Sequence, residues 1–200
     1  MWEQYERVIK DNGAIVLTAS QPFTTELIHS NLRNFKYCWT WKKTKVTGYL
    51  NAKKQPLRCI EDICVFYKKQ CTYNPQMKIV KERFVKRSGG YSREGIGYGE
   101  HKAISSSNNG LENPFNFLEI KSVDKPVHPT QKPVALFEYL IKTYTNEGEI
   151  VLDNCIGSGT TAIAAHNTGR KFIGIEKEPK YVEIARKRLE QAQAQQSLFA

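Results

Sequence analysis

The stretch between residues 149 and 161 constrains the fold more than any other part of this 200-residue chain. Residues 149–152 form a short apolar run, which predicts a buried strand, and Asp153 stands at its carboxyl end. Gly157 and Gly159 follow in a loop, and the loop leads into a pattern typical of a helix. A strand that ends in a carboxylate and continues through a glycine-rich loop into a helix is typical of an α/β ligand site.

The residues after this loop repeat the same order of elements. The helix is predicted over about 159–166, and residues 171–175 predict a second strand. Glu176 follows this second strand directly, and Pro179 begins a last helix. Strand, helix, strand and helix at these lengths predict a parallel sheet.

The two carboxylates suit an adenosine ligand at the carboxyl edge of that sheet. Asp153 can accept a hydrogen bond from an ammonium group or attract a cationic ligand. Glu176, 23 residues further on, stands where a ribose would present its two hydroxyls. A carboxylate acceptor there favours an adenosine cofactor that carries no phosphate on its ribose.

Two cofactors compete for this loop. Residues 157–162 formally fit the glycine fingerprint of NAD-binding enzymes, and an NAD-linked enzyme is one alternative. In dinucleotide sites, however, the first glycine follows the strand almost at once, whereas four residues intervene here. The Asp153 carboxylate would also repel a pyrophosphate, so the pattern favours S-adenosylmethionine. A packed unit without a ligand is the remaining alternative.

A second informative stretch, His128-Pro129-Thr130-Gln131-Lys132-Pro133, stands directly before this unit. Thr130 is predicted to cap a helix with Pro133 in its first turn, and residues 136–144 form the buried stripe of that helix. Lys132 places positive charge at a helix end that is already positive. We therefore expect Lys132 to have an anionic partner, such as a ligand carboxylate.

The first part of the chain predicts further alternating elements and then an irregular region. Helices are predicted over 2–10 and 22–32, and strands over 14–17, 37–41 and 63–67. Regular patterns are lost between about 70 and 118, where loops are predicted at 88–92, 95–99 and 105–110.

The net charge of +10 is concentrated in one segment. Residues 36–103 hold 16 Lys and Arg against 5 Asp and Glu, together with ten aromatic residues. Basic side chains neutralise phosphates and flat rings stack on bases, which favours a nucleic-acid surface. A basic solvated face over an ordinary aromatic core explains the composition equally well.

The composition also excludes some classes of protein. Five cysteines without a CxxC pair predict neither a disulfide framework nor a zinc site, so no metal is expected. The apolar runs are too short for a membrane span, and the first residues do not form a signal peptide. The expected location is the cytoplasm.

Taken together, these motifs resemble the DNA amino-methyltransferases that modify adenine or cytosine. Residues 128–133 look like that family's carboxy-terminal cofactor motif. Asp153 through Thr161 looks like its DPFxGSGTT loop, with Asn154-Cys155 in place of Pro-Phe. Residues 174–176 look like its ribose-binding strand end. The match is to the permuted group of the family, in which the cofactor motifs come last.

The resemblance implies a Rossmann-like fold that binds S-adenosylmethionine, with an irregular basic insertion. Its segments would be a first part of the core at 1–69, a target-recognition region at 70–120 and a cofactor-binding part at 121–200. The reaction would transfer a methyl group to an exocyclic amine in DNA, adenine before cytosine, on a base rotated out of the duplex. DNA is then the expected partner, and a homodimer is allowed. The implied cofactor residues are Thr130, Lys132, Asp153, Gly157, Ser158, Gly159, Thr160, Thr161 and Glu176.

One motif of the family is not found in this sequence. The family's catalytic loop has the form [DNS]PP[YFW], and Asn113-Pro114-Phe115 is the nearest approach, which we interpret as a loop. In the permuted order the catalytic motif and a central strand should precede a helix like 2–10. We therefore expect a chain truncated before that motif, which depends on a complementing segment or is a non-catalytic DNA-binding remnant.

Overall fold

The computed structural model describes residues 1–87, 90–91, 100–101 and 104–197. The chain forms two compact units, one made of Met1–Asn74 with Phe115–Ala200 and the other of Pro75–Pro114. The loop predicted at 95–99 lies outside the described residues, as do residues 88, 89 and 92 of the loop predicted at 88–92. The prediction is wrong at Gly90–Tyr91, which form a strand.

The described elements follow the order that the sequence predicts outside the irregular region. The helices are Trp2–Val8 (α1), Phe23–His29 (α2), Val134–Tyr144 (α3), Thr160–Asn167 (α4) and Pro179–Ser197 (α5). The strands are Ile15–Ala19 (β1), Phe35–Thr47 (β2), Arg58–Phe66 (β3), Lys78–Ile79 (β4), Phe84–Arg87 (β5), Gly90–Tyr91 (β6), Glu100–His101 (β7), Ile104–Ser107 (β8), Leu111–Glu112 (β9), Phe117–Glu119 (β10), Ile150–Asp153 (β11) and Lys171–Gly174 (β12).

The larger unit contains a four-stranded sheet in the order β1-β3-β2-β10. Strand β3 is antiparallel to both β1 and β2, so β1 and β2 run in the same direction. Ala19 stands opposite Asp62, and Trp41 stands opposite Glu61. The carboxyl ends of β1 and β2 therefore lie at the edge of the sheet where β3 begins.

Alternation along the strands separates two hydrophobic cores, because successive side chains point to opposite faces of a sheet. Ile63 and Val65 pack on one face with Trp39, Trp41 and helix α3. Cys64 and Phe66 pack on the other face with Trp2 of α1 and Leu27 of α2. Both faces of the four-stranded sheet are thus covered by helices.

The parallel pair β11-β12 is a separate two-stranded sheet, which confirms the predicted parallel pairing. Val151 on one face packs with Ile141 of α3 and with Ala164 and Ala165 of α4. The opposite face is open, since Ile150 is 57% exposed and Ile173 is 52% exposed. Parallel sheets are normally buried on both faces, so this open apolar face is unusual.

The smaller unit contains short strands in the region where the sequence predicts loops and no regular pattern. Its strands pair in antiparallel fashion as β4 with β9, β5 with β8 and β6 with β7, in three two-stranded sheets. The loop predicted at 105–110 is therefore wrong over 105–107, which belongs to β8, and right at the turn that follows. Alternation is weak in these short serine- and lysine-rich strands, so they carry little periodic signal.

Helix α2 ends at His29 rather than at the predicted residue 32. Ser30, Asn31 and Leu32 instead enter a turn before β2. No helix in the described part of the chain is both long and apolar enough to cross a bilayer.

Candidate cofactor site

The loop between β11 and α4 is shaped by two glycines with positive φ. Gly157 has φ 53° and Gly159 has φ 82°, and α4 begins at Thr160 directly after them. A Cβ atom on Gly159 would lie 2.8 Å from the Cβ of Ala185 in α5. The chain therefore turns sharply here, and α5 packs against the loop where a side chain would not fit.

Asp153 is held by the loop that follows it. The backbone N–H of Cys155 donates to Asp153 Oδ1 at 2.9 Å. The hydroxyl of Thr161, in the first turn of α4, donates to Asp153 Oδ2. Each carboxylate oxygen can accept more than one hydrogen bond, so Asp153 is fixed in position and still able to bind a ligand.

Glu176 lies beside Asp153 because β11 and β12 are parallel neighbours. The backbone N–H of Glu178 donates to Glu176 Oε1 at 3.0 Å, and that of Gly157 donates to Glu176 Oε2 at 3.0 Å. These hydrogen bonds, that of Glu178 first, lower the pKa of the Glu176 carboxyl below its ordinary value. Glu176 therefore joins the end of β12 to the glycine loop of β11.

The segment before α3 packs against the same loop through His128. Its ring lies 4.3 Å from the ring of Tyr181 in α5, and 3.6 Å from the position of a Cβ on Gly157. The predicted cap at Thr130 is wrong: Pro133 is the N-cap residue of α3, and it makes no side-chain capping bond. The backbone N–H of Thr130 instead donates to His128 Nδ1 at 3.2 Å.

Lys132 has an anionic partner, as its position predicts, but that partner is a side chain of this chain. Its Nζ lies 2.5 Å from Glu61 Oε2, and Lys43 Nζ lies 3.2 Å from Glu61 Oε1. The backbone carbonyl of Lys132 accepts the Thr160 hydroxyl at 3.3 Å. Lys132 thus connects the start of α4 with the start of β3. The side chains of Lys132, Lys43 and Glu61 together carry a net charge of +1.

Two supporting residues have no signal in the sequence. Arg188 in α5 donates from Nη1 to Ser158 Oγ at 3.0 Å, and burial lowers the pKa of its guanidinium. Tyr5 in α1 donates its hydroxyl to Asn154 Oδ1 at 3.0 Å. Both contacts join elements far apart in the chain, so residue spacing alone could not reveal them.

The structure brings most of the predicted cofactor residues to one edge of the two-stranded sheet. Asp153 and Glu176 lie at neighbouring strand ends, and Ser158, Thr160 and Thr161 are buried beneath the loop. The arrangement offers two carboxylate acceptors beside exposed backbone, which suits a ligand with an ammonium group and hydroxyls.

Among the described residues of the basic segment, some aromatic side chains are buried and others are exposed. Trp39, Trp41 and Phe66 belong to the hydrophobic cores. Tyr49 is 67% exposed and Phe84 is 68% exposed. The aromatic content is therefore explained in part by an ordinary core, and a smaller set is accessible to a partner.

Comparison with protein families gives a match over nearly the whole chain. Residues 1–187 match the model of an N6/N4 family described as DNA methylase. The chain is 29% identical over 199 residues to the type II methyltransferase M.HpaI of Haemophilus parainfluenzae, covering 94% of this chain and 57% of that protein. It is 56% identical over 63 residues to M2.DpnII of Streptococcus pneumoniae, covering 32% of this chain and 24% of that protein. The chain thus spans from about a quarter to about half of the length of these relatives.

Solved structures agree with this assignment. M1.HpyAVI, crystallised as a complex with SAM, is similar with a TM-score of 0.64 and 28% identity, over 93% of this chain and 78% of that one. The cytosine-N4-specific PvuII DNA methyltransferase shares the fold with a TM-score of 0.60 and 18% identity, over 90% of this chain and 64% of that one. The α/β architecture is therefore that of the DNA methyltransferases, and the chain belongs to the N6/N4 DNA methylase family.

Proposed function

We propose that this chain binds S-adenosylmethionine at the edge of the two-stranded sheet, as the cofactor-binding part of a DNA amino-methyltransferase. The observation that carries the proposal is the pairing of Asp153 and Glu176 at neighbouring strand ends around a glycine loop. Asp153 binds the ammonium group of the methionine moiety, and Glu176 binds the ribose hydroxyls. Gly157, Ser158, Gly159, Thr160 and Thr161 form the floor of the site.

Thr130 and Lys132 lie at the amino-acid end of the bound cofactor in this proposal. The net positive charge of Lys132, Lys43 and Glu61 supports it, because one positive charge is left for a ligand carboxylate. The side chains of Lys132, Lys43 and Glu61 are only partly exposed. Water therefore screens their charges less than it screens the charges of a surface ion pair.

The proposed reaction transfers the methyl group to the exocyclic amine of adenine in DNA, with cytosine as the second candidate. Residues 70–120 act as the target-recognition region between the two core segments, 1–69 and 121–200. The basic segment begins earlier, at about residue 36, and its lysines and arginines add contacts with DNA phosphates. Such a protein would work in the cytoplasm within a restriction-modification system, as a monomer or a homodimer.

Catalysis further requires a complementing segment that supplies the catalytic loop and one more strand. Among the described residues, β1 pairs only with β3, and β11 pairs only with β12. Each of these strands therefore has a free edge, which tends to attract another strand. A strand placed between them would join the two sheets into one.

Two helices that cross from one sheet to the other support this placement. On one face, α3 packs both in the core of the four-stranded sheet and against β11 through Ile141. On the other face, the Trp2 ring of α1 lies 4.7 Å from the Phe66 ring, while Tyr5 of the same helix bonds to Asn154. On each face, one helix thus contacts both sheets across the gap between their free edges.

The direction of the chain indicates where the complementing strand would end. Tyr5 contacts Asn154, after the end of β11, and Lys10 lies 3.4 Å from Glu149, before its start. Helix α1 is therefore antiparallel to β11, and the chain reverses again before β1. A strand that preceded α1 and ran parallel to β11 would end beside Asp153, where its following loop could meet the methyl group.

Cofactor binding is tested by calorimetric titration of S-adenosylmethionine into the wild type and Asp153→Ala. Loss of a charge-assisted hydrogen bond, worth about 1.5–3 kcal/mol, predicts an affinity at least roughly tenfold lower for the variant. Asp11→Ala, which removes an exposed carboxylate bonded to Lys69, is the control and should bind like the wild type. Equal affinity for all three proteins would remove the basis of the proposal.

The complementing segment is tested by extending the chain with about 40 residues encoded directly upstream of Met1, enough for a helix and a strand. Hydrogen exchange at β1 and β11 should become slower in the extended chain, because their free edges become paired. The extended chain should then transfer labelled methyl groups to DNA, and nucleoside analysis would distinguish N6-methyladenine from N4-methylcytosine. Methyl transfer by the 200-residue chain alone, or a stop codon in that upstream frame, would contradict this part of the proposal.

A further inference from the structure

The connection between β2 and β3 forms a hairpin tip, residues 48–55, that exposes apolar side chains. Leu50 is fully exposed at 102%, and its neighbour Tyr49 is 67% exposed. A single exposed leucine needs no explanation, but two adjacent apolar side chains at the end of a projecting hairpin form a localised contact surface.

The tip is an ordered turn that holds these side chains outward. Gly48 enters it with φ 99°, and a short 3₁₀ turn spans Tyr49–Asn51. The carbonyl of Asn51 accepts the backbone N–H groups of Lys54 at 2.8 Å and Gln55 at 3.0 Å. Since the turn satisfies its own backbone, Leu50 is presented by a defined scaffold.

The outer part of the hairpin, residues 42–58, carries only positive charge. Residues 42–58 contain six Lys and Arg and no Asp or Glu. Lys42, Lys43 and Lys45 pair with acidic residues elsewhere in the chain. Lys53, Lys54 and Arg58 make no ion pair within the described residues, so three cations flank the exposed Leu50.

The hairpin begins at the same edge as the candidate cofactor site. Glu61, opposite Trp41, bonds to Lys132, and Lys132 in turn bonds to Thr160 at the start of α4. From Glu61 the strand pair continues outward over several residues, which places the tip on the order of 10 to 20 Å beyond this ion pair. The tip therefore projects from the edge where a target base would be methylated.

We propose that the hairpin tip is a wedge for double-stranded DNA. Lys53, Lys54 and Arg58 bind phosphates, and Leu50 with Tyr49 enters the base stack where a base has been displaced. Apolar side chains flanked by cations are used in this way by proteins that unstack DNA, and rotating a base out of the duplex leaves a gap to fill. The inference rests on the proposed action on DNA, and it assigns the wedge to residues outside the cofactor site.

The test compares binding to a 20-base-pair duplex, intact or with one abasic site, by fluorescence anisotropy. The abasic site supplies a gap without knowledge of the target sequence. The wild type should prefer the abasic duplex about fivefold or more, and Leu50→Ser should lose that preference, because a short polar side chain cannot fill the gap in the base stack. The matched control is Leu32→Ser, because Leu32 is 63% exposed in the turn before β2, at the opposite end of that strand.

The phosphate contacts are tested through the salt dependence of binding. Replacing both Lys53 and Lys54 by alanine should reduce the slope of log K against log salt by roughly 1.8, the value for two phosphates. Lys187→Ala in α5, which lies outside the basic segment and pairs with Glu183 at 3.3 Å, should leave the slope unchanged.

Three results would overturn the wedge: Leu50→Ser retains the abasic preference, the slope is unaffected, or the wild type binds no DNA. If Leu50→Ser converted a dimer to a monomer and left the DNA affinity unchanged, the tip would be a contact between two copies of the chain. That result would also overturn the proposed wedge. The affinity for S-adenosylmethionine should be equal in all these variants. A chain that binds DNA as described but not S-adenosylmethionine would contradict the proposed function and leave the wedge supported.

Discussion

The two sheets of the larger unit differ in how completely they are buried. In the four-stranded sheet, helices cover both faces, and Ile63 and Phe66 are fully buried. In the two-stranded sheet, α3 and α4 cover one face, while Ile150 and Ile173 are about half exposed on the other. The first sheet has a complete core of its own, whereas the sheet that carries the cofactor loop depends on further packing.

The largest effect expected from this difference is a contrast between two isoleucines. Ile63→Ala should lower the free energy of unfolding by about 2–5 kcal/mol, because it leaves a cavity in a closed core. Ile150→Ala in the same 200-residue chain should cost less than about 0.5 kcal/mol, because its side chain is already largely in water. Urea denaturation of the two variants measures both values, and similar losses would mean that the two sheets are equally closed.

The contrast between Ile63 and Ile150 can be measured again in the chain that is extended upstream of Met1. If a complementing segment covers the open face, Ile150→Ala should there cost about 2–5 kcal/mol as well. The control is Leu50→Ala at the hairpin tip, which should cost little in either chain. An Ile150→Ala cost that is the same with and without the extension would show that the face stays open.

A smaller effect is expected at the glycine loop. Gly159→Ala should cost about 2–4 kcal/mol, from a strained positive φ and from the clash with Ala185. Gly148→Ala is a matched control, since Gly148 has φ 78° but a Cβ added there would meet no atom within 4 Å; it should cost only about 1 kcal/mol from the backbone strain. Equal losses by thermal unfolding would show that α5 does not pack tightly on the loop.

The smallest expected effect is a pH dependence at Glu176. Its pKa is lowered in the folded chain, chiefly by the N–H of Glu178. A lowered pKa stabilises the fold above the ordinary value of 4.5, and this stabilisation is lost as the pH falls through the lowered pKa. The melting temperature of the wild type should therefore approach that of Glu176→Gln as the pH falls below 4.5.

Glu3→Gln, which replaces an exposed glutamate in the first turn of α1, is the control for that measurement. A constant difference between the wild type and Glu176→Gln from about pH 7 to about pH 3 would show that the carboxylate does not link the loop to β12.

The sequence predicts the elements of the larger unit well because their patterns are strong. The strands ending at Asp153 and Gly174 are short apolar runs between turn residues, and α3 has a clear buried stripe. The antiparallel strands of the smaller unit escape prediction, because strands such as Ile104–Ser107 have no alternation to detect.

The candidate site divides in a similar way. Asp153, Glu176 and the glycines follow from local spacing, since each marks the end of a strand or the turn after it. The predicted role of Thr130 as a cap is wrong, and the sequence does not indicate Glu61 as the partner of Lys132. Glu61, Arg188 and Tyr5 reach the site from elements distant in the chain, and a single sequence contains no signal for such tertiary contacts.

The central claim is that the loop between Asp153 and Glu176 is the S-adenosylmethionine site. A crystal structure of the chain soaked with this compound tests the claim most directly. We expect density along the glycine loop, with the ribose hydroxyls at Glu176 and the ammonium group towards Asp153. Density for the compound at another place would contradict the account. So would a well-ordered loop with no compound bound to it at a saturating concentration.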